Sequence, residues 1–180
     1  IHGDIAEQLL SDTAYLSCNA LFLGLYHASL AGEGVSGKLQ RRLPRLLAEA
    51  GERAVVISSH RFARGLFEEA LKVQENLPEK EDLRLRCQLG MLRCEVHTGS
   101  LEQVHLRHRE ILQTVLSPQQ RLQVDELMMQ GLILNGELQE AVRFGLQILD
   151  SFGLHISENA SKTKLLGADF EIQAGLVLDP

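Results

Sequence analysis

The chain has 180 residues, 44% of them hydrophobic and 23% charged, with a formal charge of -6. These are ordinary values for a globular protein, and a body of this size can bury roughly 70% of its unfolded surface. The acidic balance argues against a nucleic-acid partner, and the absence of any apolar run of about 18 residues argues against a membrane-spanning helix.

Aromatic residues make up only 4% and there is no Trp, so the core is expected to be aliphatic. The chain opens on Ile, with no basic region ahead of an apolar stretch. No signal peptide is therefore expected, and a longer parent chain is. Three cysteines form no framework spacing. Cys87 and Cys94, seven residues apart on one expected helix, stand about 10 Å apart along its axis, too far for a disulfide. Reduced thiols in the cytoplasm are expected.

Residues 1–37 read as an N-terminal helical segment. Its "ALFLGLYHASLAG" is too short to span a membrane and is broken by Gly and His. "KLQRRLPR", residues 38–45, carries four cations and reads as a solvated helix start. In "RFARGLFEEALKV", Phe62, Ala63, Leu66, Phe67, Ala70 and Leu71 recur at helical spacing and define one packing face. "ENLPEKED" then reads as a surface loop. The next helix is expected from about Leu83 to Val96, with Leu83, Cys87, Met91 and Cys94 in one stripe. "HTGS" closes it, with Gly99 placed for a left-handed C-cap.

A further helix starts near Leu101, with Leu101, Val104, His108, Ile111, Leu112 and Val115 on its face. "SPQQ" predicts the next start: Ser117 as N-cap, Pro118 in the first turn, Gln120 closing a capping box. That helix carries Val124, Leu127, Met128, Gly131 and Leu132 and ends at Asn135-Gly136. The following one carries Leu138, Ala141, Val142, Gly145, Leu146 and Leu149. An amphipathic stretch at about 159–177 would open another unit.

The junctions repeat. "HTGSLEQV" aligns with "LNGELQEA", so that Gly99 matches Gly136, 37 residues later. Upstream, Ala63 of "ISSHRFARGLFEEAL" matches Val104 and Ala141, at separations of 41 and 37. A period of this size with two helices per unit is the mark of a helical-repeat array, in which stacked hairpins share one core. The fold class expected is therefore all-α. Three hairpins are placed at about 38–77, 81–116 and 117–152 within 38–157, and 158–180 is the first helix of a truncated fourth.

"LLAEAGERAVVISSHRFARGLFEEAL" resembles the tetratricopeptide repeat. Gly51 falls at the small position of the first helix, and Ala63, Phe67 and Ala70 at the small, aromatic and small positions of the second. Val104 with His108, and Gly145, depart from that pattern. The resemblance implies a right-handed solenoid of antiparallel hairpins, in which Gly51, Ala63, Phe67, Ala70, Gly99, Leu101, Val104, Ile111, Gly136, Leu138 and Ala141 do the packing. Over roughly residues 1–156 the order of segments also resembles the helical region that follows the nucleotide-binding module of large signalling ATPases of the Orc1-like AAA or STAND type. Such chains are often fused to a protein kinase, GAF, histidine-kinase or cyclase module. That resemblance implies a non-catalytic scaffold for protein–protein interaction, with any ATP and Mg bound in a flanking domain, since no G-x4-G-K-[ST] occurs here.

The chemistry-bearing candidates are few. Cys94, His97, His105 and His108 have C-x2-H and H-x2-H spacing across the Gly99 turn, a donor set zinc accepts. Against this, Cys94 continues an apolar stripe, His108 sits between Val104 and Ile111, and the equivalent turn at Asn135-Gly136 has no such residues. They are expected to serve the core and helix ends, with no metal. Ser58-Ser59-His60 and Asp125-Glu126 read as turn, cap and helix-dipole residues, so no catalytic residue is expected. Two alternatives are a stand-alone adaptor that binds a partner peptide and a small all-α zinc protein. The adaptor would need a basic groove, for which Arg84, Arg86 and Arg93 are available. Apolar cut ends predict self-association of the excised segment.

Overall fold

The computed structural model describes residues 1–11, 17–74 and 81–156. Among these the regular structure is all-helical, with no strand. The helices are α1 (His2–Leu10), α2 (Cys18–Ala31), α3 (Gly37–Val56), α4 (His60–Gln74), α5 (Glu81–Thr98), α6 (Leu101–Leu112), α7 (Pro118–Leu134) and α8 (Leu138–Ser151), with one 3-10 turn at Gly32–Gly34. None of them is long and apolar enough to cross a membrane. The expected loop at 75–80 and the amphipathic stretch at 159–177 lie outside the described residues. The chain divides into two compact units, Ile1–Thr114 and Val115–Pro180.

In the first unit each helix packs on the next, α1 on α2 through to α5 on α6, and α5 reaches back to α3 as well. Three glycines explain how closely they come. Leu10, wholly buried, fills the hollow over Gly24, where a Cβ would stand 2.6 Å from its Cγ. Phe67 of α4, also wholly buried, lies between two helices. A Cβ on Gly51 of α3 would stand 2.7 Å from its Cε1, and one on Gly90 of α5 would stand 2.5 Å from its Cε2. Contacts that short do not occur between real side chains, so the ring needs both glycines.

The helix ends follow from local chemistry. Ser36 caps α3 by accepting from the Leu39 N–H at 3.3 Å. Ser100 and Gln103 form a capping box at α6, with Gln103 N–H donating to Ser100 Oγ and Ser100 N–H to Gln103 Oε1, both at 3.3 Å. Helix α3 ends in a Schellman motif: Ser59 N–H donates to Ala54 O at 2.8 Å and Ser58 N–H to Val55 O at 2.9 Å. Its left-handed residue is Ser58, at φ 59°. Pro44 sits buried inside α3, where it leaves one intrahelical bond unmade. Arg42 reaches from the same helix to the Leu10 carbonyl, 2.8 Å away, and so satisfies the end of α1.

Three expectations, two in this unit and one at its boundary, differ from what is found. Gly99 is not left-handed. Its N–H donates to Glu95 O at 2.7 Å, and a Cβ there would stand 2.8 Å from that oxygen and from Gln103 Oε1, so close approach explains the glycine. Phe62 is more than half exposed and meets the Phe22 ring at 5.7 Å instead of facing the core. Helix α6 ends at Leu112, so Val115 lies beyond it and is fully exposed.

In the second unit α7 packs on α8. Ser117 and Gln120 form the expected capping box, with Ser117 N–H donating to Gln120 Oε1 at 2.8 Å and Gln120 N–H to Ser117 Oγ at 3.3 Å. Val124, Leu127, Met128, Leu132 and Ala141 are buried. Both helices end in Schellman motifs whose left-handed residue is a glycine, Gly136 at φ 82° and Gly153 at φ 80°. Leu138 and Val142, expected on the packing face of α8, are exposed.

Candidate functional site

The cysteine–histidine set is dispersed along α5 and α6. Cys94 is wholly buried, and burial pushes its thiol up to about 11, with the neighbouring Glu95 adding to the effect. Cys87, about two turns earlier on the same face, is likewise pushed by burial to about 11. Neither thiol is poised to be a nucleophile at neutral pH. His97, exposed in the last turn of α5, stacks on His60 at the start of α4, with ring centroids 4.4 Å apart and planes 13° from parallel. His105 is half-buried and His108 buried, both on α6. Among the described residues no three His, Cys, Asp or Glu side chains gather as a metal donor set.

His60 has a buried Nδ1 with no hydrogen-bond partner. Burial and the nearby His97 both hold its imidazole below the usual histidine range. Ser58 and Ser59 are turn residues of α3, so the serines and His60 mark a helix junction. In the second unit Asp125 is buried, with Arg121 Nε 3.8 Å from its Oδ2, and Glu126 accepts from Gln130 Nε2 at 3.3 Å.

A buried ion pair in the first unit could not be read from residue spacing. Glu95 of α5 is only 2% exposed, and Arg107 of α6 grips it with two bonds, Nη2 to Oε1 at 3.0 Å and Nε to Oε2 at 3.3 Å. Arg107 Nη1 also donates to Glu110 at 3.0 Å. Burial, the largest single influence, lowers the Arg107 guanidinium, but the bonds to Glu95 and the charges of Glu95, Glu110 and Glu68 together raise it. A second bidentate pair joins α5 to α3: Arg86 Nε and Nη2 donate to the two Glu52 carboxylate oxygens, each at 2.6 Å. That pair commits Arg86, one of the three arginines a basic groove would use. Arg84 and Arg93 remain exposed on α5.

The residues expected to pack divide by burial. Gly51, Ala63, Phe67, Ala70, Val104, Ile111 and Ala141 are buried, Gly99 and Leu101 are half-buried, and Gly136 and Leu138 are exposed. Gly90 was missed, although a glycine inside a strong helical pattern is itself a sign of close packing. Comparison of the chain with family models, with curated proteins and with solved structures finds no match to any of them.

Proposed function

We propose that this chain is a non-catalytic helical-repeat scaffold of tetratricopeptide type. It would be a right-handed solenoid of antiparallel hairpins through which a multidomain signalling ATPase or kinase in the cytoplasm contacts other proteins. The observation that carries this reading is the packing of α3, α4 and α5. Each of these helices touches the other two, and the Phe67 ring, set between Gly51 and Gly90, joins all three. That is the interlock by which one hairpin hands its core to the next in a repeat array.

Charge pairs support the reading. Glu52–Arg86 and Glu95–Arg107 tie non-adjacent and adjacent helices in addition to the apolar core. Such a stack transmits strain between neighbours because packed interiors deform little. Its partners are proteins, either neighbouring domains of the same chain or a separate ligand, and ATP and Mg belong to a flanking module.

The coding sequence upstream of Ile1 tests the reading. A strand followed by G-x4-G-K-[ST], with an acidic Walker-B residue further on, is the expected result. An initiator Met immediately before Ile1, with no such module, would overturn the link to a signalling ATPase and leave a stand-alone adaptor.

A further inference from the structure

The N-terminal helix pair holds two histidines that no part of the proposed scaffold role uses. His2 opens α1 and His27 lies in the last turns of α2. Their Nδ1 atoms are 2.9 Å apart. The rings lie 5.1 Å apart, 26° from parallel, and Tyr26 stands edge-on to His27 at 5.7 Å. His2 is exposed and His27 half-buried, so both can be reached from solvent.

The imidazoles do not set this proximity themselves. Leu10, buried in the hollow over Gly24, holds the C-terminal end of α1 against the middle of α2. Near His2, the backbone of Gly3 runs so close to Gly34 that a Cβ there would stand 2.5 Å from its carbonyl oxygen. Glu7 accepts from the Ser36 N–H at 3.2 Å and so fixes α1 against the start of α3. The two ring nitrogens are thus presented by a packed frame.

We propose that His2 and His27 form a two-histidine chelate for a divalent transition ion that imidazole suits, Ni2+ or Cu2+. In the hydrogen-bonded pair the Nδ1 atoms stand 2.9 Å apart, within reach of one ion held at about 2.0–2.1 Å from each imidazole nitrogen. Rotation of the two rings about their Cβ–Cγ bonds breaks that hydrogen bond and turns both lone pairs onto one ion, and water fills the remaining positions. Each imidazole that binds through Nδ1 carries its remaining proton on Nε2, so the neutral pair binds with no net proton release, and binding weakens as pH falls because protons compete for the same nitrogens.

The test is calorimetric titration of the whole chain, purified without a polyhistidine tag, with NiCl2 alone. Both histidines lie at the surface, so His2→Gln and His27→Gln leave the packed frame intact, and far-UV circular dichroism checks that each variant is folded. The expected result is one saturable Ni2+ equivalent, weakened at least tenfold in either variant and unchanged in His97→Gln. Absence of saturable binding would overturn the proposal. So would full affinity in either His2→Gln or His27→Gln, or loss of binding in His97→Gln, which would place the ion on the other histidine pair.

Discussion

Replacing Gly90 by Ala puts a methyl group against the Phe67 ring, 2.5 Å from Cε2. An ordinary contact needs about 3.5–4.0 Å, so the ring must move by about 1 Å. It has nowhere to go, because Phe67 is wholly buried and packs so closely on Gly51 that a Cβ there too would stand 2.7 Å from its Cε1. Overpacking of this kind costs about 1–3 kcal/mol, offset by about 1 kcal/mol of helix propensity gained when Gly becomes Ala. The net expectation is a loss of about 1–2 kcal/mol. Phe67→Leu removes Cε1, Cε2 and Cζ, the atoms that reach Gly90. It leaves a cavity and costs about 2 kcal/mol, less than a full Phe-to-Ala truncation. In that shortened background the Gly90→Ala methyl fills empty space and turns neutral to stabilising. The coupling in a double-mutant cycle should therefore be about 2 kcal/mol in the favourable direction. With no Trp in the chain, urea unfolding followed by far-UV circular dichroism is the assay. If Gly90→Ala costs the same in both backgrounds, to within about 0.5 kcal/mol, the ring does not lie between the two helices and the reasoning fails.

Ser58 holds a left-handed conformation, at φ 59°, that costs a non-glycine residue about 1–2 kcal/mol. Ser58→Gly should therefore raise stability by about 0.5–1 kcal/mol in the same assay, whereas a loss would show that the Ser58 side chain stabilises the turn. Arg107→Ala should cost about 3 kcal/mol, because it strands the buried Glu95 carboxylate. Adding Glu95→Gln should recover part of that loss, and additive penalties would mean that the charge is not what matters. The depressed imidazole of His60 makes stability pH-dependent. Its unfolded form takes up a proton near pH 6.5 while the folded form resists it, so its contribution is full above about pH 6.5 and is lost as pH falls through the folded value. His60→Phe, which keeps a ring against His97, should flatten the fall in stability between about pH 7.5 and about pH 5.5. An unchanged slope would remove His60 as its source.

Local periodicity is where sequence and structure agree most closely. Ala63, Phe67 and Ala70 recur at intervals that only a helix places on one face, and all three are buried. Ser117 and Gln120 cap α7 because that chemistry is written within four residues. Pairings across long separations are invisible in the same way that the short ones are plain. The stacking of His97 on His60 joins residues 37 apart, and Glu95 meets Arg107 across a turn, so spacing around Cys94 suggested donors whose actual neighbours lie elsewhere. Phe62 and Val115 show the opposite error, since an apolar residue in phase with a stripe is not thereby covered. Gly99 was assigned its turn geometry by type, whereas the crowding of Glu95 O and Gln103 Oε1 around it is a tertiary fact. Ser58 occupies the left-handed position that Gly136 and Gly153 hold elsewhere, and nothing in its side chain announces this.

If this helical stack is, as proposed, a regulatory arm coupled to a nucleotide-dependent module, repacking α3–α5 must alter nucleotide turnover. The rate of nucleotide hydrolysis by the full-length chain is to be measured with wild-type α3–α5, with Gly90→Ala, and with Phe67→Leu combined with Gly90→Ala. A severalfold change in rate is expected with the overpacked single variant, and a return toward the wild-type rate in the double variant. Identical rates in all three, or a full-length chain that hydrolyses no nucleotide, would overturn the coupling.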